Sequence, residues 1–330
     1  MADGRGTAVV GIISAAALAA CLLVPGMRLG ADRPWVGGGD HDRAARGTAD
    51  RHRLPALRAR ADSTVSAAVD KWDRRLTRYV VDLTRPVVKS YFRSEVLGLE
   101  HVPPGAALMV ANHSGGLMTI DMSVIAVDYY RRFGYGRPLY ALGHDNLFHG
   151  PMADFFERTG VIRATPEHAA GALAAGGLVL VFPGGDYDAY RPTKQEYVIG
   201  FGGRTGYVTT AIQAGVPIVP AVSIGGQENQ FYLTRGRRLA RALRLTALER
   251  NLFRTNILPV TFGFPFGVSV VLPINIPLPT KIITQVLPPI DIVAEFGDKP
   301  DVKKVDAHIR AVMQHALVAL ARKRRLPVLG

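Results

Sequence analysis

A histidine at the end of an apolar run, with an acid eight positions on, is the first feature of this chain that could do chemistry. The run Ala106–Ala111 leads into Asn112-His113-Ser114-Gly115-Gly116, and Asp121 follows. A buried strand ending in a histidine places that side chain at a sheet edge, where open α/β sheets bind ligands. An acid opening the next helix can accept one ring N–H, fix the tautomer and raise the basicity of the other nitrogen. His113 and Asp121 thus read as a general base with its orienting carboxylate, or as a turn-capping histidine with a nearby acid. A second apolar run ends in Phe182-Pro183-Gly184-Gly185-Asp186, where two glycines let backbone approach a ligand and leave N–H groups for an anion. Between the two lies Gly160-Val161-Ile162-Arg163, and after them comes Val216-Pro217-Ile218-Val219-Pro220-Ala221-Val222.

In this order the four blocks resemble those of the glycerolipid acyltransferase superfamily, which includes the 1-acylglycerol-3-phosphate acyltransferases. Leu258-Pro259-Val260-Thr261-Phe262-Gly263 and Leu287-Pro288-Pro289-Ile290 are similar too, so the resemblance covers about Leu97 to Ile292. It implies that His113 takes the proton of an acceptor hydroxyl, whose oxygen attacks the thioester of acyl-CoA or an acyl carrier protein. It implies that Asp121 orients His113, that N–H groups near Gly184 and Gly185 stabilise the oxyanion, and that Arg163 receives an anionic acceptor headgroup. Asn112, Ser114, Gly115, Gly116, Phe182, Pro183 and Arg204 join the expected substrate site, with Arg191 and Lys194 as weaker candidates. No metal or further cofactor is implied. The chain departs from the family pattern twice. The usual spacing is His-(four residues)-Asp, and Met118 holds that acid position; Gly184 stands where glycerol-phosphate enzymes commonly have Glu. Phe-Pro-Gly-Gly is closer to the diacylglycerol and phytyl-ester branches, which puts a phosphorylated acceptor in doubt.

The elements that position these blocks follow from periodicity. Short apolar runs at Ala106–Ala111, Leu139–Leu142, Leu178–Phe182 and Ile218–Ser223 read as strands. Met122–Arg131, Pro151–Thr159, His168–Ala175, Gly206–Ala214 and Asp301–Arg325 read as helices. This alternation predicts an α/β domain with a mainly parallel mixed sheet covered by helices. Val65, Val69, Trp72, Leu76, Tyr79, Val80 and Leu83, three and four apart, predict one amphipathic helix ahead of it, ended or kinked by Pro86.

Before that helix the chain changes character. Gly6–Met27 is uncharged and, as a helix, would span about 33 Å, one bilayer core. Residues 1–27 are expected to be a transmembrane anchor. A cleaved signal peptide, or a lipoprotein signal around Leu18-Ala19-Ala20-Cys21, is the alternative. The arginines that follow place the rest of the chain on the cytoplasmic side of the cell membrane. Residues 28–62 read as a flexible basic linker, lying on anionic lipid or solvated, and 63–330 as the acyltransferase domain. The 330 residues carry 40 Lys+Arg against 27 Asp+Glu, but 32 of the basic residues are Arg, a skew that codon usage can produce. The single cysteine excludes an intramolecular disulfide framework and a Cys-rich zinc site. A mean hydropathy of +0.13 fits a protein that touches a membrane.

Other signals compete less well. Gly200–Gly206 lacks the Walker and dinucleotide patterns. His144 and His149 are five apart, a poor spacing for one helix face. Seven arginines between Arg235 and Arg254 lie among leucines, as in a helix on a membrane surface or an ordinary solvated face. Without interleaved aromatics, nucleic acid is not an expected partner. Ala221-Val222-Ser223-Ile224-Gly225 resembles a serine-hydrolase elbow. Three functions follow: a membrane-associated O-acyltransferase with a glycerolipid or lysophospholipid acceptor, a lipid hydrolase built on Ser223, and a non-catalytic lipid-binding relative.

Overall fold

A computed structural model describes residues 65, 68–115, 120–148, 150, 152–234, 236, 260–270, 275–324 and 326. The expected anchor and linker, Gly116, Met118, His149 and the arginines of 235–254 lie outside the described residues. Among the described residues no helix is long and apolar enough to cross a membrane.

The described chain runs α1 (Arg74–Pro86), β1 (Glu95–Leu97), β2 (Ala107–Ala111), α2 (Asp121–Phe133), β3 (Leu139–Gly143), α3 (Met152–Arg158), β4 (Val161–Arg163), α4 (Pro166–Ala174), β5 (Leu178–Val181) and α5 (Gly185–Ala189). It continues through α6 (Gly206–Ala214), β6 (Ile218–Ile224), β7 (Phe231–Thr234), β8 (Val260–Gly263), β9 (Gly267–Val270), β10 (Ile283–Val286), α7 (Ile292–Phe296) and α8 (Val302–Lys323). Seven strands form one sheet in the order β1-β10-β6-β2-β5-β3-β4. From β6 to β4 all neighbours are parallel; β10 is antiparallel to β6, and β1 is parallel to β10.

The central strands are apolar without alternation because both faces are covered. Every residue of β2, β5 and β6 is buried. On one face Leu108, Val110, Val179 and Val222 meet Ala172 of α4, Val208 of α6 and Ile309, Met313 and Leu317 of α8. On the other, Met109, Ala111, Leu180 and Ala221 meet Val81 of α1 and Val124, Ile125 and Val127 of α2. Caps fix the helix starts: Thr165 accepts from the His168 N–H, and Asp301 from Lys303 and Lys304.

The single helix expected from Ser63 is instead broken. Lys71, Trp72 and Asp73 leave the helical path, and Asp73 caps α1 by accepting from the Arg75 and Leu76 N–H groups. The break rotates the expected apolar stripe, so Val69 and Val81 are buried while Tyr79 and Leu83 face solvent. Pro86 ends the α-helix, and one π-helical turn, Val87–Tyr91, carries the chain to the sheet. A second, three-stranded antiparallel sheet, β7-β8-β9, lies outside the alternating strand–helix pattern.

Candidate active site

The site forms where β2, β5 and β6 end side by side. Ala111 pairs with Ala221, the last step of the β2–β6 ladder. One residue on, the Asn112 side chain replaces the missing backbone partner: its Oδ1 accepts from Ser223 N–H at 2.9 Å and its Nδ2 donates to Ser223 O at 2.9 Å. Asn112 is therefore committed to the sheet and fully buried. It ends the ladder and frees the next residue to turn out of it.

That residue is His113, held on three sides. Its N–H donates to Asp188 Oδ2 at 2.6 Å, and its carbonyl accepts from Arg191 Nη2 at 2.7 Å. Its ring stacks on Phe182, the residue after β5, with centroids 4.1 Å apart and planes 6° apart. Nδ1 lies 3.2 Å from Asp121 Oδ2. A carboxylate can only accept, so the proton sits on Nδ1 and the Nε2 lone pair is left to act as a base.

Asp121, the first residue of α2, is fully buried. It accepts from Ser114 N–H at 3.0 Å, Ser114 Oγ at 2.5 Å and Ser223 Oγ at 3.3 Å, besides the histidine. The eight-residue spacing from His113 thus closes, and Ser114 helps lock it. Glycines let the surrounding turns meet. Gly115 has φ +119°, and a Cβ there would fall 2.4 Å from the Gln227 amide. A Cβ on Gly226 would fall 2.2 Å from Ser114 Oγ.

The Pro183-Gly184-Gly185 turn is tighter than a free anion cradle. Gly185 N–H donates to Phe182 O at 3.0 Å, so it is not the free oxyanion donor expected of it. A Cβ on Gly184 would lie 2.3 Å from the Asp188 Cβ. Arg204 braces the turn, donating to Pro183 O, to Gly184 O at 2.5 Å and to Asp186 Oδ1 at 2.8 Å.

Two residues that sequence reasoning missed or misplaced complete the site. Asp188 is absent from the expected site residues, and Arg191 is expected only as a weaker candidate for the substrate site. They form a buried pair at 2.5 Å directly behind the His113 backbone. Burial pushes the Asp188 carboxyl up, while Arg191 and the His113 N–H pull it back. The signal available was an Asp and an Arg three apart just after the glycine turn, Asp188 at the end of α5 and Arg191 just past it.

The structure does not bring Arg163 to this cluster. It ends β4, three strand steps from β2, or about 14 Å at the usual ~4.8 Å spacing. Its guanidinium stacks 5.0 Å from the Phe148 ring and donates to Phe148 O at 3.2 Å, with Asp145 4.0 Å away. Ser223 is no elbow nucleophile either. It lies inside β6, buried, with Oγ 2.9 Å from Thr284 Oγ1, whereas an elbow serine sits exposed on a sharp strand-to-helix turn.

Comparison with known proteins bears on this geometry. An acyltransferase family profile matches residues 93–224, a span that contains His113, Asp121, Phe182, Asp188 and Arg191. An uncharacterised protein of Mycobacterium tuberculosis is 32% identical over 249 residues, 74% of this chain and 66% of that protein. A mouse protein named as a DGAT1/2-independent enzyme synthesizing storage lipids is 29% identical over 197 residues, 58% of this chain and 55% of its own length. Residues 93–224 thus form an acyltransferase domain. The chain spans just under two thirds of the mycobacterial relative it matches. The crystal structure of the 1-acyl-sn-glycerophosphate acyltransferase PlsC from Thermotoga maritima aligns over 75% of this chain and 82% of that one. The TM-score is 0.46 at 18% identity, too distant a likeness to carry weight. His113 and Asp121 both lie within the residues that the acyltransferase profile matches.

Proposed function

We propose that this protein is a membrane-associated O-acyltransferase, moving a fatty acyl group from acyl-CoA or an acyl carrier protein to a lipid hydroxyl. The observation that carries this reading is the His113–Asp121 pair, with Nδ1 engaged and Nε2 without a partner among the described residues. Nε2 takes the acceptor hydroxyl proton as that oxygen attacks the thioester carbonyl. The tetrahedral intermediate collapses, the C–S bond breaks, and the protonated His113 returns its proton to the leaving thiolate. Asp121 stabilises the transient imidazolium, and the Phe182 face keeps the ring plane fixed. The scheme uses the thioester itself as activated donor and requires no metal or further cofactor.

Two features favour a neutral hydroxyl acceptor, such as a diglyceride or long-chain alcohol, over a phosphorylated one. The space a glutamate at position 184 would need is filled by Asp188. Arg163, the expected phosphate ligand, is tied to Phe148 and Asp145. Under this reading the catalytic domain works at the cytoplasmic face of the cell membrane, and its partners are lipids and the acyl donor.

The test is acyl transfer by the purified full chain in mixed micelles. Radiolabelled acyl-CoA is offered with diacylglycerol, fatty alcohol, lysophosphatidate and lysophospholipid in turn. Lipid-extractable product that vanishes in His113→Ala supports the proposal. Thioester consumption without acyl-lipid product, or product formation insensitive to His113→Ala, overturns it. No turnover with any acceptor points to the non-catalytic lipid-binding relative.

A further inference from the structure

The β7-β8-β9 sheet is amphipathic in the wrong direction for a sheet in water, where the apolar face normally packs inward. Its inner face is polar: Tyr232, Thr261 and Ser269, aligned across the three strands, are buried, with Thr261 Oγ1 2.9 Å from Ser269 Oγ and Asn275 Nδ2 3.3 Å from the same serine oxygen. Its outer face is apolar: Phe231, Phe262 and Val268 stand directly opposite one another and are 57%, 49% and 62% exposed. Leu233 extends this row. In the β8–β9 turn, Phe264 and Phe266 are 69% and 55% exposed, and Ile276, bridged to Phe264, is exposed beside them. A contiguous aromatic patch on a folded surface marks a binding face, because single apolar residues scatter but do not align.

We propose that this face is a membrane-docking surface that inserts its phenylalanines into the interface of an anionic bilayer. Three observations choose the occupant. From Thr255 to Thr280 the sequence has no charged residue, and Arg254 and Lys281 bound the run. Positive charge stands at the sheet's margins: Arg93 donates to Pro279 O at 2.8 Å, and the exposed Lys194 belongs to the turn whose Thr193 hydroxyl accepts from Tyr232 N–H. An apolar centre with a cationic rim matches acyl chains below anionic headgroups. Finally, the sheet grows from the catalytic edge. β6 ends at Ile224, the next turn packs Gly226 and Gln227 against Ser114 and Gly115, and β7 begins at Phe231. A bilayer seated on this sheet therefore lies beside the His113 loop, where a lipid hydroxyl has to arrive. The inference deepens the lipid-acyltransferase reading but is measured without turnover.

The experiment places an environment-sensitive fluorophore at Phe264→Cys in the full chain carrying Cys21→Ser, which removes the only native cysteine. Val268→Cys serves as a second exposed reporter. Gly105→Cys, in open space just ahead of β2 at the amino ends of the parallel strands, is the control. Each protein is reconstituted with vesicles of phosphatidylcholine alone or with phosphatidylglycerol. The expected result on the anionic vesicles is a blue shift at Phe264→Cys and Val268→Cys, with most of the emission lost to doxyl-labelled lipid. The Gly105→Cys label should show neither effect, and added salt should weaken the response. Labels at both reporter positions that stay open to aqueous iodide on membrane-bound protein overturn the proposal. Shielding that appears without lipid, together with crosslinked dimers, overturns it in favour of a second copy of the chain. Docking with no acyl transfer would sink the catalytic reading alone.

Discussion

Replacing Asp121 by asparagine tests the core of the mechanism, because the structure says what the change keeps and what it removes. The carboxylate has four donors: Ser114 N–H, Ser114 Oγ, Ser223 Oγ and His113 Nδ1. Two of the four are hydroxyls, which can accept as well as donate. An asparagine can therefore turn its amide nitrogen toward Ser114 Oγ and Ser223 Oγ, and its carbonyl toward Ser114 N–H and His113 Nδ1–H. The histidine tautomer survives, and what is lost is the negative charge facing the imidazolium. At 3.2 Å and an effective dielectric constant near 20, that attraction is worth at most about 5 kcal/mol. At ~1.4 kcal/mol per decade this sets a ceiling of roughly 10⁴ in rate, and general-base assistance is typically worth about 10²–10⁴. The expected outcome is a kcat lowered by about 10²–10⁴ with little change in KM for the acyl donor and a native-like unfolding midpoint. The assay is steady-state turnover beside denaturant unfolding, with Asp121→Asn/His113→Ala as the companion. The double variant should be hardly slower than His113→Ala, since the pair acts as a unit. A well-folded Asp121→Asn enzyme within about threefold of wild-type kcat would refute the reasoning.

Other outcomes follow from the same geometry. Ser223→Ala removes only the longest of the four contacts to Asp121, so turnover should fall by no more than about tenfold; complete loss in a folded protein would restore a nucleophilic role for this serine. Arg191→Met strands Asp188 as a buried charge and frees the His113 carbonyl, and should destabilise the fold by about 3–5 kcal/mol in urea unfolding; a loss below about 1 kcal/mol would show that the pair does not hold the loop. Burial first, and the Arg163 charge second, hold His168 below its usual 6.5. The unfolded chain therefore binds the proton first as pH falls, and stability present above about 6.5 should be lost on acidification, at most by about 1.4 kcal/mol per pH unit. His168→Gln should flatten that slope between pH 7.5 and 5.5; an unchanged slope would mean that another group titrates there.

The parallel half of the sheet was legible because doubly covered strands must be apolar without alternation. The runs at 107–111, 178–181 and 218–224 are such strands. Helix limits were nearly as clear where a cap or a glycine marks them, as at Thr165, Gly215 and Asp301. The break at Lys71–Asp73 was readable in principle, since Asp is a favoured N-cap, but the apolar spacing continued across it and dominated the reading. Arg163 illustrates a different limit. Its place on a short strand after a glycine was recognisable, yet strand order is not written in any local pattern, and β5 and β3 intervene between it and β2. Asp188 and Arg191 are polar residues near a turn and look like surface residues. Only the fold of α5 back beneath the β2 end turns them into the support of a catalytic histidine. The inverted β7-β8-β9 sheet escaped because its strands are short and its inner face holds threonine and serine, residues that the alternation rule assigns to solvent.

The contact between Gly184 and Asp188 makes two sequence positions into one choice. No side chain larger than hydrogen fits at 184 while Asp188 stands behind His113, so the glutamate found in the phosphate-acceptor branch cannot be introduced here by a single substitution. Gly184→Glu alone would push on the carboxylate that anchors the histidine backbone and would damage the base before it altered the acceptor. A change in acceptor class along this route needs a smaller residue at 188, and then a new partner for the His113 N–H and for Arg191. The support of the base and the shape of the acceptor subsite are thus inherited together, and engineering one without redesigning the other should yield folded but idle protein.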